Sequence, residues 1–443
     1  MKIGVASLGC AKNLVDTEIV LGFLADAGHE LVSDPRQAEI IIVNTCGFIT
    51  EAKEESIEAI LDMAALKEQG SCRGLIVMGC LSQRYAQELW EEIPEIDALL
   101  GTNELDLVPQ VIERVAAGER VRERRSHYFD YNQPYARMAT TGSHMAYLKI
   151  AEGCSHRCAF CVIPQIRGPY RSRTVESILS EGKLLREAGV KELAVIAQDT
   201  TAYGRDIGTN IVELLQELAR LEFPWIRLLY AYPSSISAEL LDLMAHEPSL
   251  VKYVDLPLQH VSANVLRRMK RPGSYTSSLD LINKIRDHVP GVVIRSSFIV
   301  GFPGETEADF QELLKFLEAA RLNHVGIVKY SREENSAAYA YEGQVPESVK
   351  ERRYHEAMAL QQRISTALNE QLVGRELQVL MEYPSEESEL VMVGRHRGQA
   401  PEVDGVVYVG RGHLQPGDLV TVRITQAQAY DLAGEVVESN ESP

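Results

Sequence analysis

No cysteine lies beyond position 161 of this 443-residue chain, and no lysine lies between positions 374 and 443. No apolar run approaches the roughly 20 residues that span a bilayer. Each absence excludes something. Without a long apolar run, no segment reads as a membrane helix. The stretch "VASLGC" ends at Cys10 with only Lys2 and a few mild residues before it. A secretory signal needs an apolar core of about 7–15 residues, so the protein is expected to be cytosolic. In a reducing cytosol, seven cysteines do not read as a disulfide framework. A basic balance is missing too: 45 Lys and Arg face 63 Asp and Glu, for a formal net charge of −18. Proteins that grip phosphates usually carry a basic face. This balance fits a basic partner better. No internal repeat and no low-complexity tract is found.

Short apolar runs alternate with amphipathic segments over the first 118 residues. "KIGVASLG", "AEIIIVNTCG" and "GLIVMGC" read as buried strands, followed by helices near 13–28, 51–69 and 83–90. That pattern implies a doubly wound parallel sheet. Residues 119–143 read as an Arg-rich, turn-rich linker. "GSHM" at 142–145 lies mid-chain beside strand-like sequence and reads as native. Over 144–345 a second alternation offers six strands: "AYLKIAE", "ELAVIAQD", "IRLLYAYP", "YVDLPLQ", "VVIRSSFIVGF" and "HVGIVKYS". Six units make a partial (β/α)6 barrel, too few to close as the eight-unit form does. A helical connector is expected over 346–371. Short strands between Gly, Pro and Ser turns predict a small antiparallel β-barrel over 372–438.

The cysteines fall into this frame. Cys10, Cys46 and Cys80 each stand where a strand of the first domain ends, the edge where open α/β sheets bind ligands. Cys72 belongs to the opposite edge and reads as an inert buried thiol. The stretch "EGCSHRCAFCVIP" places Cys154, Cys158 and Cys161 in C-x3-C-x2-C spacing after the first barrel strand. Three thiolates on so short a loop can face one soft metal centre. A structural zinc site wants four ligands, and His156 is a poor fourth. Three ligands on a four-iron cluster leave one iron open.

C-x3-C-x2-C at the end of the first strand of a partial β/α barrel resembles the radical S-adenosylmethionine enzymes. In that superfamily the open iron binds S-adenosylmethionine and an electron cleaves it to a deoxyadenosyl radical. The resemblance makes Asp199 and Thr200 of "AQDTTAYG", Arg295 and Gly301 of "IRSSFIVGFPGETEADF" the expected cofactor contacts. Thr306 and Asp309 resemble a capping box. Doubly wound domain, radical barrel and small β domain together resemble the methylthiotransferases over nearly the whole chain. That resemblance implies a second four-iron cluster on Cys10, Cys46 and Cys80, which carries the transferred sulfur, and a C-terminal TRAM-like recognition domain. It also implies two roles for S-adenosylmethionine, as methyl donor and radical source, and needs for a sulfur donor and a low-potential reductant.

Two branches of that family differ in substrate. One modifies an adenosine of tRNA. The other modifies the β-carbon of an aspartate in the twelfth small-subunit ribosomal protein. "SLGCAKNLVDTE", "YLKIAEGC" and "AQDTTAYG" resemble the ribosomal branch; the tRNA branch usually has Gln-Met-Asn where this chain has Ala-Lys-Asn. Charge argues the same way. From Gly374 to Pro443, five arginines against twelve acidic residues leave a net −7, which repels tRNA and attracts a basic ribosomal protein. Two basic stretches run the other way. "RRMKR" (Arg267 to Arg271) reads as a solvated helix face. Arg167, Arg171 and Arg173 follow the cysteine loop and are placed to hold the cofactor or an acidic substrate. A non-catalytic RNA-binding protein with zinc on its cysteines is the reading from another class.

Overall fold

The computed structural model describes all residues except 69, 71, 134 and 438–443. The expected helix end at 69 and domain end at 438 fall outside the described residues. The first domain comprises β1 (Lys2–Ser7), α1 (Ala11–Asp26), β2 (Glu30–Val32), β3 (Ile40–Thr45), α2 (Thr50–Glu68), β4 (Gly74–Gly79), α3 (Cys80–Glu92), β5 (Ala98–Leu100), α4 (Val108–Ala116) and β6 (Val121–Glu123). Its six strands pair in parallel in the order β2-β1-β3-β4-β5-β6. "IIIVNT" and "GLIVMG" are buried at every position. Strands covered on both faces must sit centrally in a parallel sheet, and β3 and β4 do.

The middle of the chain runs β7 (Met145–Lys149), β8 (Ala151–Glu152), α5 (Ile163–Arg167), β9 (Arg171–Ser172), α6 (Val175–Glu187), β10 (Glu192–Ile196), α7 (Ile211–Ala219), β11 (Trp225–Leu228), α8 (Ala238–His246), β12 (Tyr253–Asp255), α9 (Ala263–Arg268), α10 (Tyr275–His288), β13 (Val293–Val300), α11 (Glu307–Ala320) and β14 (His324–Lys329). Two parallel three-stranded sheets, β7-β10-β11 and β12-β13-β14, meet at a bridge between Ile226 and Leu250. The six expected barrel strands are therefore present. The Thr306–Asp309 capping box is formed at the start of α11. The antiparallel pair β8–β9 closes the base of the cysteine loop.

α12 (Glu347–Asn369) leads to a closed barrel of β15 (Glu376–Pro384), β16 (Val391–His396), β17 (Val407–Gly410), β18 (Leu419–Ala427) and β19 (Leu432–Val436). One pair departs from the antiparallel expectation. β19 closes the barrel between β17 and β18, and so runs parallel to β17. A single apolar cluster runs from Ile19 and Ile42 through Tyr147 and Trp225 to Leu380 and Ala400. This cluster joins the sheet, the partial barrel and the small barrel, each of which also has a core cluster of its own.

The expected linker is not a free connector. Its start forms β6, paired with β5. Further on, Tyr131 is buried, and Arg137 bridges Glu18 of α1 and Glu181 of α6 at 2.5 Å each. These partners are distant in sequence, so the stretch reads as a linker.

Candidate active site

All six cysteines at the expected strand and loop ends line one cavity of about 360 Å³. The two triads come from different domains. Cys10 is the N-cap of α1, Cys46 directly follows β3, and Cys80 opens α3. Two of these thiols stand at helix N-termini, where the helix dipole favours a thiolate. Glycines let the three loops touch. A Cβ on Gly9, whose φ is +88°, would stand 2.8 Å from the Cys46 Cβ. A Cβ on Gly47 would stand 2.7 Å from the Leu81 backbone. On the barrel side, Cys154, Cys158 and Cys161 occupy the loop between β8 and α5. The Cys161 N–H donates to the Cys158 carbonyl at 3.1 Å, and the Cys154 N–H to the Gly168 carbonyl at 3.1 Å.

Three family models match successive parts of the chain. The radical SAM superfamily profile matches residues 148–317, the profile of uncharacterized protein family UPF0004 matches 2–101, and a TRAM domain matches 373–437. The protein named ribosomal protein uS12 methylthiotransferase RimO from Moorella thermoacetica is 50% identical over 440 residues, 98% of this chain and 99% of that one. Its namesake from Syntrophotalea carbinolica is 47% identical over 446 residues, 99% and 98% of the two chains. The chain belongs to the ribosomal protein uS12 methylthiotransferase RimO family. Among solved structures, the radical S-adenosylmethionine methyltransferase TsrM from Kitasatospora setae shares the fold at a TM-score of 0.56 and 14% identity, over 82% of this chain and 89% of that one.

In this family member the docking of sheet on barrel has a polar, charged part beside the apolar one. Arg167 of α5 donates to Asp16 at 2.6 Å, Glu152 at 3.0 Å, Asn13 at 3.0 Å and the Cys80 Sγ at 3.3 Å. Lys149 pairs with Asp16 and with Glu152, and Tyr131 donates to Asp16 at 2.8 Å. Asn13 and Asp16 belong to "AKNLVDTE"; their role is to fasten α1 to the barrel. Burial alone pushes the Cys10 thiol up, but the charges of Lys12 and Arg167 and two backbone N–H groups outweigh it, so the net shift is downward. Cys10 has accessible surface, but that surface faces the cavity. Burial pushes Cys46 up, Cys154 up to about 11, and Cys80 and Cys161 up to about 12. Such thiols bind metal by releasing protons.

The donor set fits iron–sulfur clusters. Six thiols stand on the wall, the Arg271 Nη1 donates to the Cys158 Sγ at 3.5 Å, and among the described residues no Asp or Glu lines the cavity. Among the described residues, no three His, Cys, Asp or Glu side chains gather around a single-ion point. Cys72 is buried away from the cavity with its Sγ on the Gly74 carbonyl at 3.2 Å.

The other expected cofactor contacts are placed differently. Asp199 accepts from Thr201 N–H at 3.0 Å and pairs with the His156 Nε2 at 2.7 Å. His156 is stacked on Tyr232 at 3.8 Å, so it is fixed at the cavity wall. Thr200 turns its hydroxyl onto the Leu229 carbonyl at 2.7 Å. A Cβ on Gly301 would collide with the Lys350 side chain, so this glycine packs against α12. Arg295 stands apart from the cysteine cavity. It pairs with Asp255 at 3.4 Å and Asp404 at 3.3 Å, and lines a separate cavity beside His324. It is the third residue of β13, near the strand start, whereas the thiols gather at the strand ends. The solvated-face reading fails for Arg271, which lines the cysteine cavity; Arg267 is exposed.

Sequence reasoning gave no role to Lys12, Tyr230, Tyr232, Gln198 and Gln259, which also line the cavity. The only signal was the position of Lys12, two residues after Cys10.

Proposed function

We propose that this chain is a radical S-adenosylmethionine methylthiotransferase that places a methylthio group on the β-carbon of an aspartate in the twelfth small-subunit ribosomal protein. The observation that carries this reading is the single cavity faced by both cysteine triads. Cys154, Cys158 and Cys161 would hold one four-iron cluster; Cys10, Cys46 and Cys80 would hold the other. When bound, the two clusters and S-adenosylmethionine supply the electron, the hydrogen-abstracting radical and the methylated sulfur, chemistry no side chain can supply. The chain's own residues bind, orient and enclose. Arg167 fixes α5 against α1 and so sets the two triads in register across the cavity. Asp199 fixes His156 at the wall. Phe48, Phe160, Ile163 and Tyr230 restrict water from the space between the triads.

The division into 1–118, to whose sheet β6 adds Val121–Glu123, 144–345 and 372–438, with a helical connector over 346–371, follows the same reading. The C-terminal domain's net −7 suits a basic protein partner. A sulfur donor and a low-potential reductant are the further partners, and the cytosol is the compartment. Among the described residues no helix is long and apolar enough to cross a membrane.

The test is a product assay. Anaerobically reconstituted protein is incubated with S-adenosylmethionine, sulfide and reductant, and with either the ribosomal protein or tRNA. Mass spectrometry should find a methylthio group on one aspartate of the protein and none on tRNA. A methylthio group on tRNA adenosine alone refutes the reading.

A further inference from the structure

Three full cations line the cysteine cavity: Lys12, Arg167 and Arg271. Two of them are engaged. Arg167 is held by Asp16 and Glu152. Arg271 donates to the Pro257 carbonyl at 2.8 Å, leans on Cys158 and lies over the Tyr232 ring at 4.4 Å. Lys12 is different. The residue is 8% exposed and lines the cavity. Among the described residues, no carboxylate stands within the 4.0 Å of an ion pair to its ammonium. Asp255 feels its charge, but the Asp255 oxygens take the Tyr230 N–H at 3.0 Å and the Arg295 Nη1 at 3.4 Å.

What Lys12 does have is an aromatic rest. Its Nζ stands 3.0 Å from the centroid of the Tyr230 ring. Tyr230 has a φ of +61°, a left-handed conformation that a tyrosine rarely adopts. Asp255 holds its N–H, and the Thr200 N–H holds its carbonyl at 3.1 Å. Backbone strain of this kind persists only where its surroundings enforce it. Here it sets a ring beneath a buried ammonium. A ring face steadies a cation but leaves the ammonium donors open. A buried cation with no carboxylate partner, in a cavity lined by no Asp or Glu among the described residues, is arranged to accept a carboxylate from outside.

We propose that Lys12 receives the side-chain carboxylate of the target residue, and so selects an acidic substrate at the point where the two cysteine triads meet. The inference rests on the protein-substrate reading above. It makes Lys12 a specificity residue. An amide or a nucleobase of similar size would enter the cavity and leave the ammonium uncompensated, and sites built around a buried polar group discriminate strongly against a ligand that leaves it unpaired. A competing role is charge balance for Cys10, whose thiol feels Lys12. That role is blind to the substrate's charge.

The experiment is a two-by-two cycle on reconstituted holoenzyme. A fluorescent peptide spanning the target aspartate, and its twin with asparagine at that position, are titrated onto the parent and onto Lys12→Met, with binding read by anisotropy. The parent should prefer the acidic peptide by at least about 30-fold, the scale of losing one partner of a buried charge pair. Lys12→Met should erase most of that preference, and Lys12→Arg should restore part of it. Iron content verifies that each variant is loaded; Lys12→Gln repeats the cycle should Lys12→Met fail to load. Equal weakening of both peptides, or no weakening, overturns the proposal while the parent's methylthio product on the protein keeps the function reading standing. A parent that modifies only tRNA overturns both.

Discussion

Arg167 carries the interface on which the two-triad cavity depends, so its removal is the sharpest perturbation. Arg167→Met deletes four hydrogen bonds at 2.6–3.3 Å and leaves Asp16 and Glu152, both buried, with Lys149 as their remaining cation. Removing one partner of a buried charge network costs about 3–5 kcal/mol, because the orphaned charge stays buried. With a urea slope of ~3 kcal/mol/M, the unfolding midpoint should fall by on the order of 1 M. Arg167→Lys should rescue little, since one ammonium cannot span Asp16, Glu152 and Asn13 in the fork geometry of a guanidinium. The double variant Arg167→Met with Asp16→Asn should recover about 1 kcal/mol or more, because it removes the stranded charge, and this non-additivity is the signature of direct coupling. Hydrogen exchange should localise the loosening to α1, α5 and β7. A single variant within about 0.5 kcal/mol of the parent, the range of an ordinary surface change, would refute the claim that this network fastens the sheet to the barrel.

Three further outcomes follow from other parts of the molecule. Gly47→Ala pushes a methyl into the Leu81 backbone and should drop reconstituted iron from about eight to about four per chain, the loss of one four-iron cluster, as read by chemical iron assay. Cys72→Ala should leave iron content unchanged and cost about 1 kcal/mol in denaturant unfolding, the scale of a small cavity. Glu192 joins the two barrels: it pairs with Arg227 of its own sheet at 2.6 Å and with Arg395 of the small barrel at 2.5 Å. Burial alone would raise its pKa, but the two arginines bring it down to about 2. A depressed carboxylate stabilises fully above its unfolded value and loses that stabilisation as pH falls. Docking of the C-terminal barrel should therefore weaken between about pH 4.5 and pH 2, and Glu192→Gln should flatten this part of the thermal-unfolding profile.

Much of this architecture was legible in the residues. "IIIVNT" and "GLIVMG" carry their own burial, and a cysteine at each strand end marks the ligand edge of a parallel sheet. The six thiols were recognisable as two groups; that they face one cavity depends on Arg167, Asp16, Lys149 and Glu152 meeting across domains, which no local spacing encodes. β2, β5 and β6 have three residues each, too few for a period to show. A basic residue on a barrel strand does not announce which end of the strand it occupies, and Arg295 stands near the strand start, away from the thiols. Thr200 and Gly301 stand at strand ends as expected, but their local bonding is spent on Leu229 and on packing against Lys350. Lys12 and Tyr230 were invisible for the opposite reason: a lysine in a first helical turn reads as solvated, and no sequence pattern marks a tyrosine with positive φ.

The central claim is that the two triads are separate cluster sites serving one reaction, and the triple variant Cys10→Ala, Cys46→Ala, Cys80→Ala tests it most directly. Reconstituted anaerobically, it should hold about four irons where the parent holds about eight. It should still cleave S-adenosylmethionine and form no methylthio product on the ribosomal protein. Methylthio product from the triple variant would contradict the account.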